Sequence, residues 1–448
     1  MNEKEVIEVE IQSNGMDGEG VARVDGRVVF VPYTLKGERV RAVVKQVKKN
    51  FAVASAIKIL SPSAQRVTPS CLHYFKCGGC DTGHVSDDYR REILLGELRN
   101  NLKKIAGIDY PPSELISFGN TVRNKISMPF GYAGGKVVLG LYKQNSHTVE
   151  PVDCAYQSQA SKDIAKIVCD FMNERKLPVY DERGGKGLLR HLVMRTVGGR
   201  TSVTLVINAD KFDGERELGA RLPEYCDFFV CPNKRRNNVI MGDAVRLVKG
   251  EPYLKAEVMG VHAELSPLSF FQVNDAVRDA LYAVALSCVS SPVLIDLYSG
   301  IGITSNLACK KCERVIAVEC VPQAVKDADR TAELNGNAPK ITNICGNAED
   351  VLPTLGDIGE EIDVLVDPPR KGCDAAVIRA VAALAPNKLI YISCNHATMC
   401  RDIKLFNELA QGYELTLCKA FDMFPGSHHV ETLCVLSKKL PTVISVLT

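Results

Sequence analysis

Tryptophan is absent from the 448 residues, so stacking on any ligand falls to the 14 Phe or 14 Tyr. Charge of one sign is also lacking. Lys and Arg number 55 against 53 Asp and Glu, which excludes a polycation and leaves any nucleic-acid surface to local asymmetry. No apolar run is long enough to span a bilayer, so no membrane partner is expected. The opening MNEKEVIEVE is acidic and near-alternating, unlike a signal peptide. No internal repeat or low-complexity tract is present. What remains is an ordinary soluble composition, expected in the cytoplasm, with length for two to four domains.

Cysteine is plentiful, at 17. In a reducing compartment these are not expected as disulfides, which leaves metal or cluster ligands, a catalytic thiol and packing.

Residues 1–60 read as five or so short strands, at Val6–Ile11, Arg27–Pro32, Arg39–Val47 and Ala52–Leu60 among others. Turns fall at Asn14-Gly15, Gly18-Glu19-Gly20 and Asp25-Gly26, a pattern that suits a small barrel. Its second half carries Lys36, Arg39, Arg41, Lys45, Lys48, Lys49 and Lys58 against Glu38. Such a face is either solvated surface or a phosphate-contacting one. Ser-Pro and Thr-Pro-Ser then mark a boundary. Ile93, Leu94, Leu98, Leu102 and Ile105 have helical spacing over 89–105, with Gly107 as the stop. Further basic groups lie at Lys234-Arg235-Arg236 and at Arg183, Lys186, Arg190, His191 and Arg195. Both are candidates for an RNA face or plain surface.

From about 262 the pattern alternates. Strands are expected at Pro292–Leu297, Arg314–Glu319, Ile341–Gly346, Ile362–Asp367, Lys388–Cys394, Tyr413–Ala420 and Thr432–Leu436, with helical stretches between most of them. That is a doubly wound α/β sheet. LIDLYSGIGITS (294–305) supplies a strand, a glycine turn and a helix start. Ser305 stands where a full dinucleotide fingerprint has its third glycine. Glu319 ends the next strand, placed to accept from ribose hydroxyls, and Asp367-Pro368-Pro369 ends the fourth. Turn, acid and Asp-Pro-Pro at carboxyl ends of strands point to S-adenosylmethionine, with a nicotinamide as the rival cofactor.

Cys71, Cys77, Cys80 and Cys154 form C-x5-C-x2-C with a distant fourth member, close to a ferredoxin spacing, and Gly78-Gly79 permits a tight loop. Four thiolates suit tetrahedral zinc equally.

FFQVN (270–274), DLYSGIG (296–302), AVE (317–319), DPPRKG (367–372), YISCN (391–395) and HVETL (429–433) follow in the order of the RNA uracil-5-methyltransferase family, which the chain resembles over nearly its whole length. The resemblance implies a TRAM-type RNA-binding barrel at 1–60, a central mixed α+β domain with iron–sulfur cysteines at 61–261, and a Rossmann-like methyltransferase domain at 262–448. It implies that Gln272, Tyr298, Glu319 and Asp367 contact S-adenosylmethionine, that Cys394 is the nucleophile and that Glu431 is the base. CLHYFKCGGC with PVDC resembles the 23S ribosomal RNA branch, where Cys71, Cys77, Cys80 and Cys154 would hold a 4Fe–4S cluster. Ser299 and His396 depart from the family's usual Cys and Pro.

C5 of uracil is a poor nucleophile until a thiolate adds at C6, and a carboxylate must then remove the C5 proton. Cys394 and Glu431 fit those two needs, and a lowered thiol pKa is expected, with Arg370 as the candidate cause. Phe270 and Phe271 are candidates for stacking on a flipped base, or core. The resulting expectation is a monomer that methylates C5 of a uridine in 23S ribosomal RNA. Transfer RNA as substrate, or a non-catalytic iron–sulfur RNA-binding protein, are the alternatives. Arg370 after Pro369, where cytosine-5 enzymes usually carry cysteine, argues against that chemistry.

Overall fold

The structure, a computed structural model, describes residues 1–15, 18–119, 121–144, 146–356 and 358–439. Residues 440–448, within the span expected for the methyltransferase domain, lie outside the described residues. No helix among the described residues is long and apolar enough to cross a membrane.

Alternation builds the N-terminal unit. Val6–Glu10 buries Ile7 and Val9, and Arg39–Val47 buries Val40, Ala42 and Val44. Its six-stranded sheet runs Val6–Glu10, Arg39–Val47, Phe51–Ser61, Arg27–Val31, Gly20–Val24, Ser13–Asn14. The Gln12 N–H donates 2.8 Å to the Val21 carbonyl, which curls one edge back toward the other. Glu38 is fully buried and paired with Arg66, while Glu8 pairs with Arg39 and Arg41. Lys36, Lys45, Lys48, Lys49 and Lys58 are exposed.

The central six-stranded sheet is ordered Arg246–Lys249, Cys226–Pro232, Arg200–Ile207, Leu189–Val197, Lys125–Ala133, Lys136–Leu139. Helix Gln159–Glu174 covers it with Ile164, Val168, Phe171 and Met172. Of the second basic group only Arg183 and Lys186 are exposed. Arg190, His191 and Arg195 are interior: Arg190 donates to the Asn233 and Arg235 carbonyls at 2.8 and 2.6 Å, and Arg195 to the Ser269 carbonyl at 2.7 Å. Strand burial wins over charge there, with backbone carbonyls taking up part of each guanidinium's hydrogen-bonding capacity. Lys234 and Arg235 are taken up by Asp210 and Asp243.

The C-terminal sheet has eight strands, ordered Ile341–Cys345, Arg314–Glu319, Val293–Leu297, Ile362–Val366, Lys388–Ser393, Glu431–Lys438, Tyr413–Phe421, Leu115–Ile116. The first five are parallel and Glu431–Lys438 runs against its neighbours. Two pieces expected in the central segment lie in this body. Leu115–Ile116 is its edge strand. Helix Asp87–Asn101, prolonged by a π-turn over Leu102–Ala106 and stopped at left-handed Gly107, packs Leu94, Leu98 and Leu102 into its core. One apolar stripe at i, i+4, i+8 seeks the nearest large core, here that of the sheet. The hairpin Leu254–Val258/Val261–Leu265 also packs here, so a boundary at 261/262 falls inside it.

Candidate active site

Apolar Leu389-Ile390-Tyr391-Ile392 is fully buried in the Lys388–Ser393 strand, and Cys394 is the first residue past its end. Asn395 follows because a helix must begin there. Its side-chain oxygen accepts from the Ala397 and Thr398 N–H groups at 3.0 and 3.3 Å, capping His396–Leu409. Ser393 pairs with Thr432 across the antiparallel ladder, so Cys394 and Glu431 are the next opposed positions. Asp367 is the first residue past the neighbouring parallel strand Ile362–Val366, which pairs Val366 with Tyr391.

The loop after Asp367 is fixed from below. Gly372, at φ +78°, donates 2.8 Å to the Pro369 carbonyl. Thr398 Oγ1 donates to the Arg370 carbonyl at 3.3 Å and Arg401 to the Lys371 carbonyl at 3.0 Å. Tyr391 and the Cys373 N–H both donate to Asp402 Oδ2, at 2.6 and 2.8 Å.

Burial dominates the electrostatics. It raises Glu431 to about 8, with Asp367 adding to the rise and Arg370 opposing it. It raises Asp367 to about 7, helped by Asp296. Cys394 is pushed up to about 11 by burial and by Glu431, against the lowering pull of Arg370. The expected lowered thiol pKa is therefore corrected: Arg370 acts in the foreseen direction, and desolvation outweighs it. Glu431 Oε2 is buried without a hydrogen-bond partner.

The glycine turn lies at the end of Val293–Leu297. The Gly300 N–H donates 3.1 Å to Glu319 Oε2, and a Cβ on Gly300 would meet open space. Gly302, at φ +77°, would press a Cβ to 3.2 Å from Ala328. Tyr298 adopts φ +62° just before the turn. Ser305, at the third-glycine position, donates 2.6 Å to buried Asp296, as Thr304 does at 2.7 Å. Gln272 is buried beside Phe271, and its carbonyl accepts 2.9 Å from Asn124 Nδ2. The paired phenylalanines divide: Phe271 is core under the Arg278 guanidinium, and Phe270 is 68 % exposed.

Over residues 358–439 the chain matches the family model described as tRNA (uracil-5-)-methyltransferase, and over 2–57 that of the TRAM domain. It is 35 % identical over 447 residues to an uncharacterized RNA methyltransferase of Caldanaerobacter subterraneus subsp. tengcongensis, covering 97 % of this chain and 98 % of the relative. The chain belongs to the RNA uracil-5-methyltransferase family. A second relative of this methyltransferase, an uncharacterized RNA methyltransferase of Oceanobacillus iheyensis, is 33 % identical over 456 residues, covering 98 % of each chain. The fold is that of the Pyrococcus abyssi tRNA (uracil-54, C5)-methyltransferase, solved in complex with S-adenosyl-L-homocysteine. It superposes with a TM-score of 0.77 at 23 % identity, covering 96 % of this chain and 99 % of that one.

Two features of the methyltransferase escaped the sequence. Tyr282, on helix Asp275–Ser287, is buried within electrostatic reach of Asp367, Asp296 and Glu431, which help burial raise its phenol pKa. Its place inside an ordinary amphipathic helix gave no signal. His396 forms a 2.7 Å hydrogen bond with Asn101 Nδ2, and burial together with His428 and His429 lowers it to about 4.

Cys71, Cys77, Cys80 and Cys154 border one cavity of about 370 Å3. Burial raises Cys80 to about 12, with Cys154 and Cys77 contributing. A Cβ on Gly79 would lie 3.3 Å from Cys77 Sγ, and one on Gly426 3.2 Å from Cys80 Sγ. Among the described residues, no three His, Cys, Asp or Glu side chains converge on a single-ion position.

Proposed function

We propose that this methyltransferase transfers the methyl group of S-adenosylmethionine to C5 of a specific uridine in RNA through a covalent Cys394–C6 adduct. The observation that carries the reading is the opposition of Cys394 and Glu431 at adjacent strand ends, beside Asp367 and Arg370. Gln272, Tyr298, Glu319 and Asp367 hold the cofactor. The open glycine turn and the Glu319 carboxylate at its back suit an adenosyl group without a pyrophosphate. When bound, S-adenosylmethionine supplies the electrophilic methyl.

Cys394 first loses its thiol proton to solvent; the thiolate Sγ then bonds to C6, and the displaced π pair makes C5 nucleophilic. After methyl transfer Glu431 takes the C5 proton, the C5–C6 double bond reforms, and Cys394 leaves as thiolate. Arg370 stabilises that thiolate. Burial favours the neutral forms of Glu431 and Asp367 in the free enzyme, so Glu431 gives up its proton to solvent before it serves as the base. Exposed Phe270 is the stacking candidate for the flipped base.

The exposed barrel lysines bind the RNA backbone. The four cysteines would hold a 4Fe–4S cluster, which supplies a structural tie and no electron to this reaction. Four thiolates at about 2.3 Å from one zinc would crowd within about 4 Å of each other. Here the four cysteines line one cavity, and among the described residues no three ligand side chains converge on a single-ion position. The cysteine pattern favours 23S ribosomal RNA. Transfer RNA is the second reading, favoured by the matching family model, which is described by transfer RNA. The test is nucleoside mass spectrometry after incubating anaerobically purified protein and labelled S-adenosylmethionine with unmodified 23S or transfer RNA. Labelled 5-methyluridine from 23S RNA alone supports the first reading, and label from transfer RNA the second. No label in either sinks the enzymatic one for these substrates.

A further inference from the structure

A second cavity, of about 250 Å3, opens in the central sheet, with none of its lining residues in the methyltransferase site. Phe130, Tyr132, Tyr142 and Tyr180 contribute aromatic rings to its lining. Tyr132 is 56 % exposed, and its hydroxyl accepts 3.0 Å from the Val179 N–H. Tyr142 and His147 are both anchored on Glu182, at 3.1 and 2.7 Å. The Tyr180 ring lies 4.5 Å below the Arg190 guanidinium.

The polar walls are unfinished. His191 lines the cavity at 6 % exposure, and its Nδ1 is buried with no hydrogen-bond partner. Burial keeps the ring neutral, lowering it to about 4. Arg190 Nε is unpartnered as well. Buried polar atoms left unpaired are costly, so a partner for His191 Nδ1 or Arg190 Nε on this wall would be stabilising.

Charge narrows the ligand. The lining holds Asp181 and Glu182 against Arg183 and Arg190, two of each sign. An isolated phosphate would face the carboxylates, and a cation the guanidinium groups. A neutral, flat molecule with both donors and acceptors on its edge suits the walls, and aromatic faces stack on it. The loop that supplies Tyr142 and His147 also carries Gln144, which borders the cavities against Tyr33, Lys45 and Lys58 of the barrel. One loop thus borders both this cavity and the cavities beside the barrel lysines.

We propose that this cavity binds a second, unmethylated nucleobase of the RNA substrate, splayed from its stack, and so sets the register of the target uridine. The inference rests on the methyltransferase reading and adds a recognition site to it.

The test uses the full-length protein with whichever transcript, 23S or transfer RNA, the wild type methylates. Tyr132→Ala removes a stacking face, and Tyr132→Phe retains it. KM and kcat come from labelled methyl incorporation, and ultraviolet crosslinking with mass spectrometry locates contacted nucleotides on the wild type. Tyr132→Ala is expected to raise KM roughly 5- to 150-fold with kcat unchanged. Tyr132→Phe stays near the wild type, and a nucleotide adduct is expected on residues 130–147. An unchanged KM in Tyr132→Ala, or crosslinks confined to other segments, overturns the cavity's role and leaves the enzyme reading intact. A wild type that methylates neither RNA overturns both.

Discussion

Asp81 and His428 are joined twice across 347 positions: the His428 N–H donates 2.8 Å to Oδ1, and the imidazole Nδ1 hydrogen-bonds Oδ2. Asp81 follows Cys80, and His428 stands three residues before Glu431. The Asp81 and Thr82 N–H groups donate to the Gly426 carbonyl at 3.0 and 3.1 Å. Buried Arg90 ties Thr82 Oγ1, both Asp422 oxygens and the Ser427 carbonyl together, at 2.7 to 3.0 Å. The cysteine loop is thus bolted to the turn that delivers Glu431. Asp81→Ala is expected to lower stability by on the order of 2 kcal/mol and kcat about tenfold, with KM less affected. Denaturant midpoints and methyl incorporation check it. An unchanged kcat would show that the clasp does not position Glu431.

Cys394→Ala is expected to lower methyl transfer on the order of 10⁴-fold or more while RNA still binds. Glu431→Gln should slow turnover by about 10²- to 10⁴-fold and accumulate a methylated protein–RNA adduct, visible as a shifted band on a denaturing gel. Normal turnover in Glu431→Gln would remove it from the base role.

In the proposed mechanism both groups react deprotonated, with Glu431 raised to about 8 and Cys394 to about 11. Activity is expected to climb with pH through 8 and to keep climbing above it. A profile level across pH 8 would count against the pair. Stability moves the other way. Folded Glu431 keeps its proton to about 8, while the unfolded group releases it near 4.5. The folded state therefore binds the extra proton between those values, and stability falls as pH rises through that window. Glu431→Gln should flatten that slope in thermal melts.

Cys80→Ser is expected to abolish visible absorbance and lower the iron-to-protein ratio, measured under anaerobic purification. Retained absorbance, or stoichiometric zinc in the wild type, would overturn the cluster assignment.

The C-terminal strands were legible because buried parallel strands are continuous apolar runs: Leu389–Ile392 announced itself, and Cys394 and Asn395 followed by position. The carboxyl ends of strands then located Glu319 and Asp367. Desolvation was not legible. Arg370 beside Cys394 suggested a lowered thiol, and only the three-dimensional burial showed the opposite net shift. Nor could charge alone tell buried Arg190 and Arg195 from exposed Arg183, because their carbonyl partners lie on other segments. Long-range attachment was equally hidden: the helix stripe at Leu94, Leu98 and Leu102 says that it must pack, not on what.

That stripe has a consequence during synthesis. Leu94 shares a core with Met399, Cys400 and Phe406, which emerge from the ribosome about 300 residues later, roughly 15–60 s at ordinary elongation rates. Until the strands from Val293 onward follow, the early helix carries leucines with no sheet to cover them. The barrel and central sheet can close behind it, but the catalytic body is completed only when the last strands arrive. The nascent chain therefore spends much of its translation with its catalytic half in two unjoined pieces.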